Sequence, residues 1–107
     1  MKDISIIIPA YNEAESLPEL IGWIAEVTEK NQYSYEVIIV DDGSTDDTWK
    51  TVKEISGSDA HVKGIRFRRN YGKSAALFCG FETAEGEVVF TMDADLQDSP
   101  EEIPEMY

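Results

Sequence analysis

Basic residues are scarce in this chain of 107 residues, which has 9 Lys and Arg against 22 Asp and Glu and a formal net charge of −13. Sequence-independent nucleic-acid binding needs Lys and Arg to neutralise phosphates, so we exclude nucleic acid as a partner. All nine basic residues lie between Lys2 and Lys73, whereas residues 74–107 carry nine acidic residues and no basic one. On charge alone a solvated acidic surface is the favoured explanation, and a cation bound near the C-terminal part is the alternative.

Cysteine, signal-peptide features and long apolar runs are also lacking. Cys79 is the only cysteine, which excludes an internal disulfide framework and fits a reducing compartment. The longest apolar run, residues 75–81, is far shorter than the roughly 18 residues that would predict a membrane span. Lys2 and Asp3 are not followed by the apolar region of a signal peptide. We therefore expect a cytoplasmic protein.

Short β-branched runs and segments with helical spacing alternate along the chain. The predicted strands are residues 4–8, 37–40, 62–67 and 88–91, and the predicted helices are residues 13–30, 46–56 and 73–84. The first two strands are continuously apolar, which indicates burial on both faces, as in a parallel sheet. This order predicts one α/β domain over residues 1–107, with a mostly parallel sheet, flanking helices and right-handed crossovers.

Local signals refine the helices. Asn12 with Glu15, and Ser44 with Asp47, have the spacing of capping boxes at the starts of the first two helices. The third helix is apolar around most of its circumference, which predicts that it is buried. Cys79 on that helix is therefore expected to be a core residue and not a nucleophile.

Polar residues that could bind a ligand follow every predicted strand. They lie in residues 9–13, 41–46, 68–73 and 93–98. In open α/β sheets, ligands bind outside the carboxyl ends of the strands, so these four segments are expected to meet at one site. The chain has neither a G-x-G-x-x-G nor a G-x-x-x-x-G-K-[ST] motif, which disfavours a dinucleotide dehydrogenase and a P-loop NTPase.

The sharpest of these segments contains Asp93, Ala94 and Asp95. Two carboxylates that directly follow a buried strand can bind Mg²⁺ or Mn²⁺, which retain coordination positions for substrate phosphates. Gln97 adds a neutral oxygen two residues further on. An acidic surface turn is the alternative, and the position after a buried strand favours the metal.

The acidic and aromatic residues after the first two strands suit a nucleoside. Asp41 and Asp42 could accept hydrogen bonds from base N–H groups or ribose hydroxyls. Alternatively, Asp42, Ser44 and Asp46 all suit a helix N-cap, and both roles can coexist. Tyr11 could stack on a base and Glu13 could bind a ribose hydroxyl, whereas Pro9 is also explained as a strand terminator.

The only dense basic cluster follows the third strand. Arg68, Arg69 and Lys73 could bind a diphosphate, or an anionic acceptor, at the N-terminus of the third helix. Charge balance with nearby acidic residues is the alternative.

Four ordered motifs together resemble glycosyltransferase family 2, in particular its polyprenyl-phosphate branch of dolichyl-phosphate mannosyltransferase-like enzymes. They are IIPAYNE (residues 7–13), VDDGSTD (residues 40–46), RNYGK (residues 69–73) and DADLQD (residues 93–98). The resemblance implies a Rossmann-like GT-A fold, a UDP- or GDP-linked sugar donor and inversion at the anomeric carbon. It further implies a role in cell-envelope glycan biosynthesis.

The resemblance also assigns residues. Those that it implies for nucleotide-sugar binding are Pro9, Tyr11, Glu13, Ile39, Asp41, Asp42, Lys73, Asp93, Ala94 and Asp95. Within this set Asp41 would contact the base, with Ile39 beside it and Asp42 in a supporting place. Asp95 and Gln97 would hold Mg²⁺ or Mn²⁺ against the diphosphate. Lys73 and the pair Arg68 and Arg69 match the family less closely and are candidates only.

The implied reaction moves a hexose to an acceptor, expected to be a polyprenyl phosphate. Such an acceptor is already ionised and needs little help from a general base. Residues 1–107 are expected to be an N-terminal donor-binding part, inactive alone. Acceptor-binding and catalytic residues, and segments that contact the cytoplasmic face of the membrane, would lie beyond Tyr107.

Three other interpretations stay open. The chain could be a non-catalytic nucleotide-sugar-binding module, or a family 2 transferase that acts on a saccharide acceptor. A receiver-like signalling domain is disfavoured, because its acidic pair is expected after the first strand, whereas Asp41 and Asp42 follow the second.

Overall fold

Strands and helices alternate in the computed structural model, which describes residues 2–94. The strands are β1 (Ile4–Ala10), β2 (Tyr35–Asp41), β3 (Val62–Arg66) and β4 (Val88–Thr91), and the helices are α1 (Leu17–Lys30), α2 (Thr48–Ser58) and α3 (Lys73–Thr83). The strands form one parallel sheet in the order β3-β2-β1-β4. The predicted α/β architecture and its four strands are confirmed.

Side chains of β2 are buried on both faces of the sheet. Val37 and Ile39 belong to the larger core cluster, which α1 and α2 cover, whereas Ile38 and Val40 pack in a second cluster with Ala76 of α3. Helices on both faces explain why this strand is continuously apolar and not alternating.

The strand order reverses between β1 and β4. The chain moves outward from β1 to β2 and β3, and then α3 carries it back across the sheet to β4 on the other side of β1. A ligand crevice is expected at such a switch point, outside the carboxyl ends of the strands. Ala10 and Thr91 end β1 and β4 at this place.

The first two helices begin later than predicted, and both predicted capping boxes are wrong. The N-cap residues are Ser16 and Asp47, and neither makes a side-chain capping hydrogen bond. The side chains of Asn12 and Ser44 instead each accept a hydrogen bond from the other loop. The Ser44 hydroxyl accepts from the backbone amide of Asn12, and Oδ1 of Asn12 accepts from the amide of Thr45. These polar side chains join two loops and do not cap their own helices.

The prediction that α3 is a buried helix is also wrong. Its buried residues are Ala76 and Gly80, whereas Phe78 is 66% exposed and Phe81 is 51% exposed. Gly80 allows α3 to approach the sheet closely, since a Cβ there would lie 2.4 Å from Cγ2 of Ile7. One face of α3 thus packs on the sheet through small residues, and its aromatic face points away. None of the helices within residues 2–94 combines the length and apolarity needed to cross a membrane.

Candidate functional site

A pocket of about 160 Å³ lies at the carboxyl edge of the sheet. Its lining residues are Pro9, Ala10, Tyr11, Glu13, Asp42 and Lys73. Five of these six residues are predicted site residues, and they come from three separate segments of the chain. The fold therefore brings together the loops after β1 and β2 and the start of α3. Since pockets for whole small molecules usually measure about 300–1,000 Å³, this pocket suits one part of a ligand.

Asn12 fastens the loop after β1 to the loop after β2. Its backbone is left-handed with a φ of 55°, and its Oδ1 accepts a hydrogen bond of 2.9 Å from the amide of Thr45. In return, the amide of Asn12 donates to Oγ of Ser44 at 2.9 Å. The amide of Glu13 donates to Oγ1 of Thr48 at 2.9 Å. These bonds fix the backbone between the two pocket-lining residues Tyr11 and Glu13.

Asp46 organises the start of α2 beside this junction. Its Oδ1 accepts hydrogen bonds from the hydroxyl of Thr48 and, at 2.9 Å, from the amide of Thr48. The hydrogen bond from the Thr48 hydroxyl has the largest effect and lowers the pKa of the Asp46 carboxyl; desolvation opposes it, and weaker backbone hydrogen bonds lower the pKa further. Asp46 therefore stays ionised and keeps Thr48 placed for its contact with Glu13.

Asp41 and Asp42 are buried at the end of β2 and have different partners. Asp41 is 0% exposed, and its Oδ1 accepts a hydrogen bond of 3.0 Å from the amide of Ser44. Its Oδ2 is buried and has no hydrogen-bond partner among the described residues. The two oxygens of Asp42 accept hydrogen bonds from the amides of Tyr71 at 2.7 Å and Gly72 at 3.0 Å. Asp42 thereby ties the loop after β2 to the segment that precedes α3.

Gly43 lies against the backbone of that same segment. Its φ is +71°, and a Cβ at this position would lie 2.1 Å from the carbonyl carbon of Arg69. A larger residue would meet both a strained backbone and a direct clash. The contact holds the loop after β2 close against the loop after β3.

Lys73 connects the start of α3 to the segment after β4. Its Nζ lies 2.7 Å from Oδ1 of Asp93, and the two side chains are 62% and 40% exposed. An exposed ion pair adds little to stability. The pair therefore presents a partly exposed ammonium group and a partly exposed carboxylate next to each other at this edge of the sheet.

Ser16, at the start of α1, makes a second contact with the segment after β4. Its hydroxyl donates to the carbonyl oxygen of Ala94 at 2.5 Å and lies 3.3 Å from Oε2 of Glu13. Sequence reasoning did not identify Ser16 as a site residue. A serine at a helix start is common, and no local pattern shows that its partner lies 78 positions away.

Other predicted site residues lie away from the pocket. Ile39 is completely buried in the core cluster, and Arg68 is exposed. The Arg69 guanidinium lies 4.9 Å from the ring centroid of Tyr71. None of these three side chains lines the pocket, and neither do Asp41, Asp93 and Ala94. Contact of all six residues with a ligand stays a prediction.

The predicted metal ligands Asp95 and Gln97 lie outside the described residues. Within residues 2–94, no group of three or more His, Cys, Asp or Glu side chains is arranged to hold a metal ion. Asp93 supplies a partly exposed carboxylate, the hard oxygen donor that Mg²⁺ and Mn²⁺ prefer. The donor chemistry of this segment thus fits such a cation, and the metal itself stays a prediction.

Comparison with known proteins places the chain in a family. The sequence profile described as Glycosyl transferase family 2 matches residues 5–107. This chain is 46% and 45% identical, over 104 residues, to the undecaprenyl-phosphate 4-deoxy-4-formamido-L-arabinose transferases of Pseudomonas fluorescens and Proteus mirabilis, respectively. Each match covers 96% of this chain but 30% and 32% of the relatives. The chain therefore spans about a third of the length of these relatives.

Solved structures share the fold. The mannosyltransferase PcManGT from Pyrobaculum calidifontis, in complex with GDP-Man and Mn²⁺, has a TM-score of 0.76 and 29% identity over 89% of this chain and 30% of its own. S. aureus TarS 1–349 in complex with UDP has a TM-score of 0.77 and 28% identity over 97% of this chain and 30% of its own. The chain belongs to glycosyltransferase family 2, and its parallel sheet with flanking helices is part of the Rossmann-like GT-A fold.

Proposed function

We propose that residues 1–107 are the donor-binding part of an inverting glycosyltransferase that moves a sugar from a nucleoside diphosphate to a polyprenyl phosphate. The observation that carries this proposal is the convergence of Tyr11, Glu13, Asp42 and Lys73 on one pocket at the switch point of the sheet. The curated relatives support it, since they are named as undecaprenyl-phosphate transferases. The transferred sugar is a hexose in this proposal, or a derivative of arabinose as in the relatives' names.

The nucleoside would bind between the loops after β1 and β2. The ring of Tyr11 is 45% exposed beside the pocket and could stack on a base, with Pro9 as an apolar neighbour. Glu13 is placed to accept a hydrogen bond from a ribose hydroxyl. The unpartnered Oδ2 of Asp41 favours a base with an N–H donor, because a buried carboxylate oxygen without a partner is costly. Uracil and guanine both carry such a donor.

The diphosphate would lie between the start of α3 and the segment after β4. The first amides of a helix and a lysine side chain both attract phosphate, and Lys73 supplies that side chain at this position. Asp93, Ala94 and Asp95 would line the other side, and Asp95 with Gln97 would hold Mg²⁺ or Mn²⁺. When bound, such a cation stabilises the charge that develops on the leaving diphosphate.

The acceptor half of the reaction is assigned to other parts of the protein. An ionised lipid phosphate can attack the anomeric carbon with little help from a general base, and we place no catalytic base within residues 2–94. We propose that the longer protein works at the cytoplasmic face of the membrane, where segments beyond these residues contact the lipid acceptor.

Calorimetric titration of the chain with UDP and with GDP, each with and without Mn²⁺, tests the donor site. We expect metal-dependent binding of one nucleotide, and loss of that binding in Asp95→Ala. Glu54→Ala, which removes an exposed carboxylate on α2, is the matched control and should bind like the unaltered chain. Binding that ignores both Mn²⁺ and Asp95→Ala would contradict the metal assignment. Absence of binding by the folded chain would contradict the donor site.

A further inference from the structure

We propose that Asp42 is a positioning residue for diphosphate recognition, which acts by holding the segment before α3 so that Lys73 reaches the ligand. This inference rests on the proposed function and gives the supporting place of Asp42 a physical role. The segment is residues 67–72, between the end of β3 and the start of α3, and is called the α3 loop below.

The carboxylate of Asp42 spans two successive amides of the α3 loop. Oδ1 accepts from the amide of Tyr71 at 2.7 Å, and Oδ2 accepts from the amide of Gly72 at 3.0 Å. The side chain is 5% exposed, so these bonds form in a poorly hydrated place, where charge-assisted hydrogen bonds are strong. Both oxygens are thus engaged within the protein, in contrast to Oδ2 of Asp41.

The two amides that Asp42 holds determine where α3 begins. Gly72 is the N-cap of α3 with a φ of 103°, and its carbonyl accepts the first helical hydrogen bond from the amide of Ala76. Lys73 follows directly, and its Nζ lies 2.7 Å from Oδ1 of Asp93. A change in the orientation of the Gly72 peptide would therefore move the Lys73 side chain relative to Asp93.

A second contact fixes the α3 loop to Gly43, the residue that follows Asp42. The backbone of Arg69 and Asn70 packs on Gly43 so closely that a Cβ on Gly43 would lie 2.1 Å from the carbonyl carbon of Arg69. Arg69 and Asn70 are themselves exposed, so their side chains are not packed in the core. Asp42 and Gly43 thus both hold the α3 loop: Asp42 by two hydrogen bonds, and Gly43 by close backbone contact.

The variant Asp42→Asn isolates this role. It keeps the size of the side chain but replaces one acceptor oxygen by an NH₂ group, which cannot accept from an amide N–H. The loop then loses one of its two anchoring bonds while the nucleoside contacts of Tyr11 and Glu13 stay intact. We expect weaker binding of the diphosphate and unchanged binding of the nucleoside.

A double-mutant cycle tests the coupling between Asp42 and Lys73. The four proteins are the unaltered chain, Asp42→Asn, Lys73→Gln and the double variant, each titrated with the nucleoside diphosphate that binds and with its nucleoside. We expect Lys73→Gln to weaken diphosphate binding about tenfold in the unaltered chain, as for one charge-assisted bond. In the Asp42→Asn background it should weaken binding less than about twofold. Nucleoside affinity should change less than about twofold throughout.

Asp47→Asn is the control, because Asp47 is an exposed acid that makes no side-chain capping bond. Should Asp42→Asn fail to fold by circular dichroism, Asp42→Glu takes its place in the cycle, because its longer side chain displaces the two acceptor oxygens and with them the α3 loop; the same loss of coupling with Lys73→Gln is expected. Additive effects of the two substitutions, or an equal loss of nucleoside and diphosphate affinity, would overturn the inference and leave the proposed function standing. Absence of nucleotide binding by the unaltered, folded chain would overturn both.

Discussion

The hydroxyl of Ser16 donates a hydrogen bond of 2.5 Å to the carbonyl oxygen of Ala94, which joins the start of α1 to the segment after β4. Ala94 is 2% exposed and Ser16 is half-buried, so the bond is partly shielded from water. Asp93 and Asp95, the acidic residues of the motif, flank Ala94 in the chain. The segment that carries Asp93 is therefore held by Ser16, a residue that lies outside the four sequence motifs.

Replacement of Ser16 by Ala should weaken metal-dependent nucleotide binding. The loss of one net hydrogen bond, about 0.5–1.5 kcal/mol, corresponds to roughly two- to tenfold in Kd. Titration with nucleotide and Mn²⁺ measures the change. Ser58→Ala is the control, because the Ser58 hydroxyl bonds carbonyls within its own helix. Equal effects of the two substitutions would show that the Ser16 bond does not position the motif.

Replacement of Gly43 by Ala should destabilise the fold by more than about 2 kcal/mol, because the residue combines a positive φ with a close backbone contact. Gly22→Ala is the control within the same chain. Gly22 lies inside α1 and a Cβ there meets nothing within 4 Å, so that substitution should stabilise by about 0.5–1 kcal/mol. Urea unfolding of both variants measures the difference. A Gly43→Ala protein as stable as the unaltered chain would contradict the close approach of the two loops.

The strands were predictable because their cause is local. β-branched residues occur in runs that are continuously apolar in β1 and β2, and a strand covered by helices on both faces needs such a run. The helix order and the sheet edge that carries the pocket follow from connection rules that hold across α/β folds. The convergence of Tyr11, Glu13 and Lys73 on one pocket was therefore readable from their positions after strands.

The helix starts and the burial of α3 were not predictable, because their causes are long-range. Asn12 has the spacing of a capping residue, and only the folded chain shows that its Oδ1 meets the amide of Thr45 across the crevice. The apolar circumference of α3 does not reveal which side packs on the sheet. The choice falls on Ala76 and Gly80, since small residues let the helix backbone approach β1 and β2.

The role of Asp42 was only partly predictable for the same reason. Its place after β2 identified it as a site residue, but the amides that it contacts, those of Tyr71 and Gly72, belong to a segment 29 and 30 positions away. A carboxylate in a loop can cap a helix, contact a ligand or hold a second loop. The sequence alone does not choose among these.

Acid should weaken the fold through Glu36, a buried carboxylate at the opposite end of the sheet from the pocket. Burial raises the pKa of Glu36, but hydrogen bonds from the Ser5 hydroxyl and the Glu85 amide, each 2.6 Å long, and the Lys63 ammonium lower it by more in sum. Its folded pKa thus lies below the ordinary value of 4.5. The corresponding stability is present above that value and is lost as the pH falls through the folded pKa.

The free energy of unfolding measured from pH 7 to pH 3 tests this sign. At pH 7 the free energy of unfolding of the unaltered chain should exceed that of Glu36→Gln by about 1–3 kcal/mol, because the glutamine amide cannot accept from the same donors. This difference in stability should shrink below about pH 4.5. Glu54→Gln on the exposed surface of α2 is the control and should change little at any pH. A difference that grows on acidification would contradict the lowered pKa.

An exposed phenylalanine on α3 and a buried phenylalanine on β4 together test how α3 packs. Phe78 of α3 is 66% exposed, whereas Phe90 of β4 is 9% exposed and belongs to the main core cluster. Phe90→Ala should cost about 3 kcal/mol or more, because it leaves a cavity in the core. Phe78→Ala should change stability by less than about 0.5 kcal/mol, since it removes no buried contact. Urea unfolding of the two variants decides the matter. A large loss in Phe78→Ala would mean that the aromatic face of α3 is covered in solution.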